Sequence, residues 1–232
     1  MKIIGILGGM GPLASANLYQ QIITIAQNSY DAQQDTDFPP MLIYNLPLFG
    51  FDETGLVDNS QVKRQLIEGV KKLEQAGSDF IIIACNTVHY FYKDMQEAIN
   101  IPIVSIIKET SKLVKKEGYK TVGLLSSEST NELKIYQDEF QKIGINIISV
   151  SEQQQKKLND IILNVMAGKQ GEKDEKEIKK IIQNLTNQGA ESVILGCTEL
   201  PLAIKQSSLD TKLFFSTDII AEVALQTAFR ED

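Results

Sequence analysis

The chain has 232 residues, enough for one large domain or two smaller ones with cores of their own. A composition of 43% hydrophobic, 23% charged and 7% aromatic residues is that of an ordinary globular protein. The net charge of −7 argues against a nucleic-acid partner, which would need clustered Lys and Arg to neutralise phosphates.

The first residues, MKIIGIL, loosely imitate the start of a signal peptide. Gly8, Gly9, Gly11 and Pro12 break the apolar run before it reaches the roughly 7–15 residues of a signal core. Nothing later approaches the roughly 18 apolar residues of a membrane span. The chain is therefore expected to be cytoplasmic and without a membrane partner. In that reducing compartment its two cysteines, Cys85 and Cys197, are expected as thiols rather than as a disulfide.

In chain order, short Ile/Val/Leu-rich runs predict strands at Lys2–Leu7, Met41–Leu46, Asp79–Ala84 and Ile101–Ser105. A second set follows at Lys120–Leu125, Ile145–Ser149, Glu191–Leu195 and Lys212–Phe215. Continuous apolar runs suit strands covered on both faces. Amphipathic stretches lie between them, such as Ser60–Ala76, whose Val62, Leu66, Val70 and Leu73 form one stripe ended by Gly77. Strand and helix in alternation imply α/β architecture with parallel sheets.

The chain also repeats itself. Leu73, Gly77 and Cys85 align without gaps to Leu185, Gly189 and Cys197 at a constant offset of 112 residues. Lys2–Leu7 resembles Lys120–Leu125, and Val104-Ser105 resembles Phe215-Ser216. Two buried strands share a small alphabet, so the Ile/Val pattern alone proves little. A cysteine at the same register of both is harder to attribute to chance.

Each cysteine sits where an apolar strand gives way to polar residues, in Cys85-Asn86-Thr87 and Cys197-Thr198-Glu199. That is the carboxyl edge of a parallel strand, where open α/β sheets place their ligands. Two halves facing each other would bring the two edges together across a cleft. A thiol titrates near 8.5 and needs help to become thiolate; helices starting just after each triplet would supply it through their unpaired N–H groups. Two thiols suit stereoinversion, in which one group removes a proton from one face of a carbon while the other delivers a proton to the opposite face.

Other residues carry weaker signals. Gly8-Gly9-Met10-Gly11-Pro12 satisfies neither the dinucleotide fingerprint nor a P-loop. It reads either as a plain turn or as a turn whose N–H groups hold an anion such as a carboxylate. Glu199 suits the orienting of a thiol or the gripping of an ammonium group, with a simple helix-start charge as the alternative. Ser126, Ser127, Ser129 and Thr130 match the glycine turn in position; their hydroxyls would bind a carboxylate or cap the next helix. His89 lacks zinc-ligand spacing and is expected to bond locally. The charged run Lys169–Lys180 reads as a solvated helix face.

With these motifs in view, the sequence resembles the aspartate/glutamate racemase family, and within it the aspartate racemase branch. The resemblance spans most of the chain. It is carried by Gly8–Pro12, by Ala84-Cys85-Asn86-Thr87 with His89, by Gly123–Leu125 and by Leu195–Leu200. It implies two similar three-layer α/β domains related by a pseudo-twofold axis, with the active site in the cleft between them. The domains are expected to be 1–105 plus 212–232, and 106–211.

The resemblance further implies turnover without pyridoxal phosphate, metal or any other cofactor, and assembly as a homodimer. Cys85 and Cys197 would be the catalytic proton donor and acceptor, Cys197 acting on the L-substrate and Cys85 on the D-substrate. Met10, Asn86, Thr87 and Thr198 would contact the substrate, joined by Ser127, Thr130 and Glu199. The expected reaction is interconversion of L- and D-aspartate, or glutamate. Maleate isomerase, hydantoin racemase and a non-catalytic amino-acid-binding protein are the alternatives. Relatives often carry a cation after the second strand, whereas Asn45–Gly55 has neither Arg nor Lys.

Overall fold

The computed structural model describes residues 1–52 and 55–230. Glu53 and Thr54 of the cation-free segment, and Glu231 and Asp232 at the end of the expected first domain, lie outside the described residues.

The first half runs β1 (Ile4–Gly8), α1 (Pro12–Ser29), β2 (Met41–Asn45), a hairpin of β3 (Phe51–Asp52) and β4 (Gly55–Leu56), and α2 (Asn59–Gln75). It continues with β5 (Phe80–Ile83), α3 (Tyr92–Glu97), β6 (Ile103–Val104) and α4 (Ile106–Lys116). The second half runs β7 (Thr121–Leu125), α5 (Glu128–Glu132), α6 (Ile135–Lys142), β8 (Asn146–Ser149), α7 (Glu152–Met166) and α8 (Glu172–Asn187). It ends with β9 (Ser192–Leu195), β10 (Leu213–Phe215) and α9 (Ser216–Phe229).

Two four-stranded parallel sheets result, ordered β2-β1-β5-β6 and β8-β7-β9-β10. The eight strands expected from the apolar runs are all present. The two orders are the same order, with β1, β2, β5 and β6 corresponding to β7, β8, β9 and β10. The repeat extends to small devices. Gly77 and Gly189 adopt φ of +97° and +100° after their helices. Two residues later, the Asp79 carboxylate accepts the Ile3 N–H, and the Glu191 carboxylate accepts those of Lys120 and Thr121.

Side chains alternate across each strand, and this period sorts the core into layers. Leu7, Ile81 and Ile83 pack outward under α2 and α3, while Leu125, Val193 and Leu195 pack outward under α7 and α8. The opposite faces, with Ile4, Ile6, Phe80 and Ile82 on one sheet and Val122, Leu124, Ile194 and Phe214 on the other, share one central core with α1, α4, α6 and α9. Both termini of this helical layer cross over: α4 follows the first sheet but packs on α6, and α9 follows the second sheet but packs on α1.

One expected boundary is corrected. Residues 212–215 were grouped with the first half, but β10 pairs with β9, Leu213 to Val193 and Phe215 to Leu195. The repeat explains why: β10 is the counterpart of β6, which pairs with β5. The β3–β4 hairpin was not expected either, and it lies close to α5 of the opposite half.

Candidate active site

The two cysteines continue the outward alternation of their strands, Cys85 after Ile81 and Ile83, Cys197 after Val193 and Leu195. Both are buried and neither is in a disulfide. Met10, Asn86, Thr87, Ser127, Thr130, Thr198 and Glu199 are buried as well.

The turns after β1, β5, β7 and β9 meet, and hydrogen bonds cross between the halves. Glu199 reaches the first half, where the Gly11 N–H donates to Oε1 at 3.3 Å. The other carboxylate oxygen accepts the Cys197 thiol at 3.1 Å and the Thr198 hydroxyl at 3.1 Å. Thr87 reaches the second half, where its Oγ1 lies 2.7 Å from Thr130 Oγ1 and 3.1 Å from Ser127 Oγ. The Ser127 hydroxyl donates to Thr130 at 3.0 Å, closing a ring of three hydroxyls. Ser129 Oγ is buried nearby in the chain without a hydrogen-bond partner.

Asn86 is held from the second half too. Tyr136 on α6 donates its phenol proton to Asn86 Oδ1 at 2.8 Å, and Asn86 Nδ2 lies 3.4 Å from Ser216 Oγ. Ser216 in turn donates to the Leu195 carbonyl at 2.8 Å. Burial pushes the Tyr136 phenol above its ordinary range, against the pull of Ser216 and Thr110, with the charge of Cys197 adding to the rise. It therefore stays a proton donor to Asn86 throughout the physiological range.

The glycine turn is tightly made. Gly9 has φ +97°, and a Cβ there would sit 2.5 Å from the Leu46 carbonyl oxygen, so no larger residue fits. Its N–H donates to Ser15 Oγ at 2.9 Å. The anion met by the Gly11 N–H in this structure is the carboxylate of Glu199. Ser127 caps α5 through the Thr130 N–H, so the hydroxyls that match this turn serve a cap and the ring together.

His89 is buried and bonds locally, as expected. The Ile106 N–H donates to Nε2 at 3.4 Å, which leaves the proton on Nδ1 for the Cys85 carbonyl at 2.9 Å. Desolvation lowers its pKa to about 4, outweighing the hydrogen bonds to the backbone of Cys85 and Asn86. One expectation needs correcting. The helices after the two triplets are 3-10 turns, Thr87–Phe91 and Leu200–Leu202, too short for the field of a full helix. What lies beside Cys197 instead is a carboxylate. Among the described residues no cluster of His, Cys, Asp and Glu is arranged to hold a metal ion, and no helix is long and apolar enough to cross a membrane.

Sequence reasoning missed Tyr136, Ser216 and the Gly11–Glu199 contact. Tyr136 sits among apolar residues on an amphipathic stretch, and nothing local marks its hydroxyl as bonded across the cleft. The charged run ends as anticipated, with α8 exposing Lys176 and Glu172 in an i, i+4 pair.

This arrangement can be compared with known proteins. The family model described as Asp/Glu/hydantoin racemase matches residues 7–224. The chain belongs to that family. It is 29% identical over 225 residues to the broad specificity amino-acid racemase RacX of Bacillus subtilis, covering 97% of each chain. Among solved structures, an aspartate racemase homologue from Pyrococcus horikoshii OT3 is 32% identical with a TM-score of 0.84, over 99% of this chain and 100% of that one. The Picrophilus torridus aspartate racemase is 26% identical with a TM-score of 0.84, over 100% of this chain and 96% of the other. The α/β fold of two repeated parallel sheets is thus shared with racemase structures.

Proposed function

We propose that the protein is a cofactor-independent amino-acid racemase in which Cys85 and Cys197 exchange the α-proton across opposite faces of the substrate. The observation that carries this reading is the pairing of Thr87 with Glu199. The two residues stand at the same offset of 112 that relates the cysteines, each two positions after its cysteine and each reaching into the other half.

Their chemistry divides the site. The ring of Thr87, Ser127 and Thr130 offers neutral hydroxyls to an anion, and its members bond one another until a carboxylate accepts their hydrogen bonds. Glu199 offers an anion to an ammonium group. A site with a carboxylate-binding edge, an ammonium-binding edge and a thiol on each side fits a free α-amino acid. Met10, Asn86 and Thr198 complete the walls. Asn86 is preset by Tyr136, so its position is fixed before substrate arrives.

In the D-to-L direction Cys197, whose Sγ lies 3.1 Å from Glu199, starts as the thiol and Cys85 as the thiolate. Cys85 then removes the α-proton of the D-substrate, and the electron pair spreads into the α-carboxylate, where the hydroxyl ring stabilises the growing charge. Cys197 delivers its proton to the opposite face, yielding the L-enantiomer with the thiol and thiolate exchanged. The reverse direction starts from the exchanged pair. Glu199 relays protons between Cys197 and solvent when the pair is reset.

The relatives' names support two substrate ranges, aspartate for the Picrophilus torridus aspartate racemase and a broad set of amino acids for RacX. The reaction class is tested by incubating the protein with single enantiomers in heavy water and following α-deuterium by NMR. Exchange with inversion is expected. Turnover of maleate with no exchange in any amino acid would overturn the racemase reading in favour of a covalent cysteine isomerase.

A further inference from the structure

The two polar edges account for two substituents of the substrate's α-carbon, and the third is the side chain. The surface around Glu199 bears on it. Glu199 is buried, and the groups bonded to its carboxylate are an N–H, a thiol and a hydroxyl, none of them cationic. No Lys or Arg is buried among the described residues. Arg64 on α2 and Lys169 beyond α7 are both exposed.

What does approach the Gly11–Glu199 contact is a thioether. A Cβ on Gly11 would lie 3.3 Å from Glu199 Oε1 and 3.6 Å from the terminal methyl of Met166, the last residue of α7. Met166 thus packs beside Gly11 next to the Glu199 carboxylate and, 41% exposed, stands at the rim of that contact. The side wall of the site beside its one buried carboxylate is therefore apolar and partly open to solvent.

We propose that this enzyme prefers amino acids with uncharged side chains over aspartate and glutamate, and that Met166 is the residue that meets the side chain. The proposal rests on the racemase reading above. A side-chain carboxylate brought to Met166 would meet a thioether that offers it neither charge nor hydrogen bond, while the substrate's own ammonium is already paired with Glu199, and a carboxylate desolvated without a partner is costly. An apolar side chain gains contact with the methionine instead. The thioether is flexible and unbranched, so it adapts to several shapes and suits a range of neutral substrates rather than one.

The test is a heavy-water exchange assay on the full chain with L-methionine, L-leucine, L-aspartate and L-glutamate, for the wild type and Met166→Lys. The wild type is expected to turn over the neutral pair with kcat/KM about tenfold or more above the acidic pair. Met166→Lys is expected to move the aspartate-to-methionine ratio at least about tenfold toward aspartate, a ratio that a partial loss of folded protein would leave alone. Aspartate or glutamate exchanging as well as the neutral pair, or a ratio unmoved in the variant, would overturn the proposal and leave the racemase reading standing. Absence of exchange with all four would take down both.

Discussion

Thr87 and Glu199 occupy the same place in two halves that share strand order, turn glycines and cysteine register, yet their surroundings differ. Thr87 ends in a ring of neutral hydroxyls, and beside it Cys85 has its carbonyl tied to a neutral, buried His89. Glu199 places a buried carboxyl group at its edge, which accepts a hydrogen bond from the Cys197 thiol. A duplicated scaffold supplies symmetry of position, which two-face chemistry needs. The asymmetry of one side chain at each edge supplies polarity, which an amino acid needs in order to bind in one orientation.

The largest expected effect removes the thiols themselves. Cys85→Ala and Cys197→Ala should each lower racemisation by at least about 100-fold, the lower end of what a positioned acid or base contributes. Circular dichroism should show both variants folded, since each loses a single buried sulfur. A variant with full activity would break the equivalence of the two halves.

Acid should expose the Cys85 side of the comparison. The unfolded chain protonates His89 near 6.5, whereas the folded chain holds it neutral down to about 4. Between those values the unfolded state binds the extra proton, so stability falls as pH drops through the window from 6.5 to 4. The loss is on the order of 3 kcal/mol, read as a decline in urea midpoint that should be much reduced in His89→Gln.

On the other side, Glu199→Gln removes the charge while keeping the shape. We expect a fall in kcat of about 10- to 100-fold with a rise in KM, because both the ammonium grip and the proton relay weaken. The two enantiomers have equal free energy in water, so kcat/KM must fall equally in both directions. Different losses in kcat for the two enantiomers would locate Glu199 on the Cys197 side.

The smallest effect tests the contact that crosses between halves. Tyr136→Phe leaves Asn86 Oδ1 without its buried donor and should cost about 1–3 kcal/mol, seen as a lower melting temperature. A Tyr136→Phe protein as stable as the wild type would mean that Asn86 is not preset from the second half.

Much of this was legible in the sequence, for identifiable reasons. Buried parallel strands advertise themselves as apolar runs, so all eight were found. The constant offset exposed the repeat, and with it the register of Cys85 and Cys197. What stayed hidden depends on long-range meetings between residues that are unremarkable locally. Gly11 and Glu199 are 188 residues apart, and Tyr136 reads as an ordinary core aromatic. The β3–β4 hairpin is too short to show a period. β10 goes with the second half because it is the repeat's counterpart of β6 and pairs with β9, while the helix after it packs on α1 of the first half.

Racemisation as proposed requires two different groups, one per half, to handle the proton. The most direct measurement is the isotopic composition of both enantiomers early in the reaction, starting from one pure protiated enantiomer in heavy water. Two-thiol catalysis predicts deuterium in the inverted product well before it enters the remaining substrate, from either starting enantiomer. Deuterium appearing equally in product and recovered substrate from the first turnovers would mean that a single group serves both faces, and would contradict the claim.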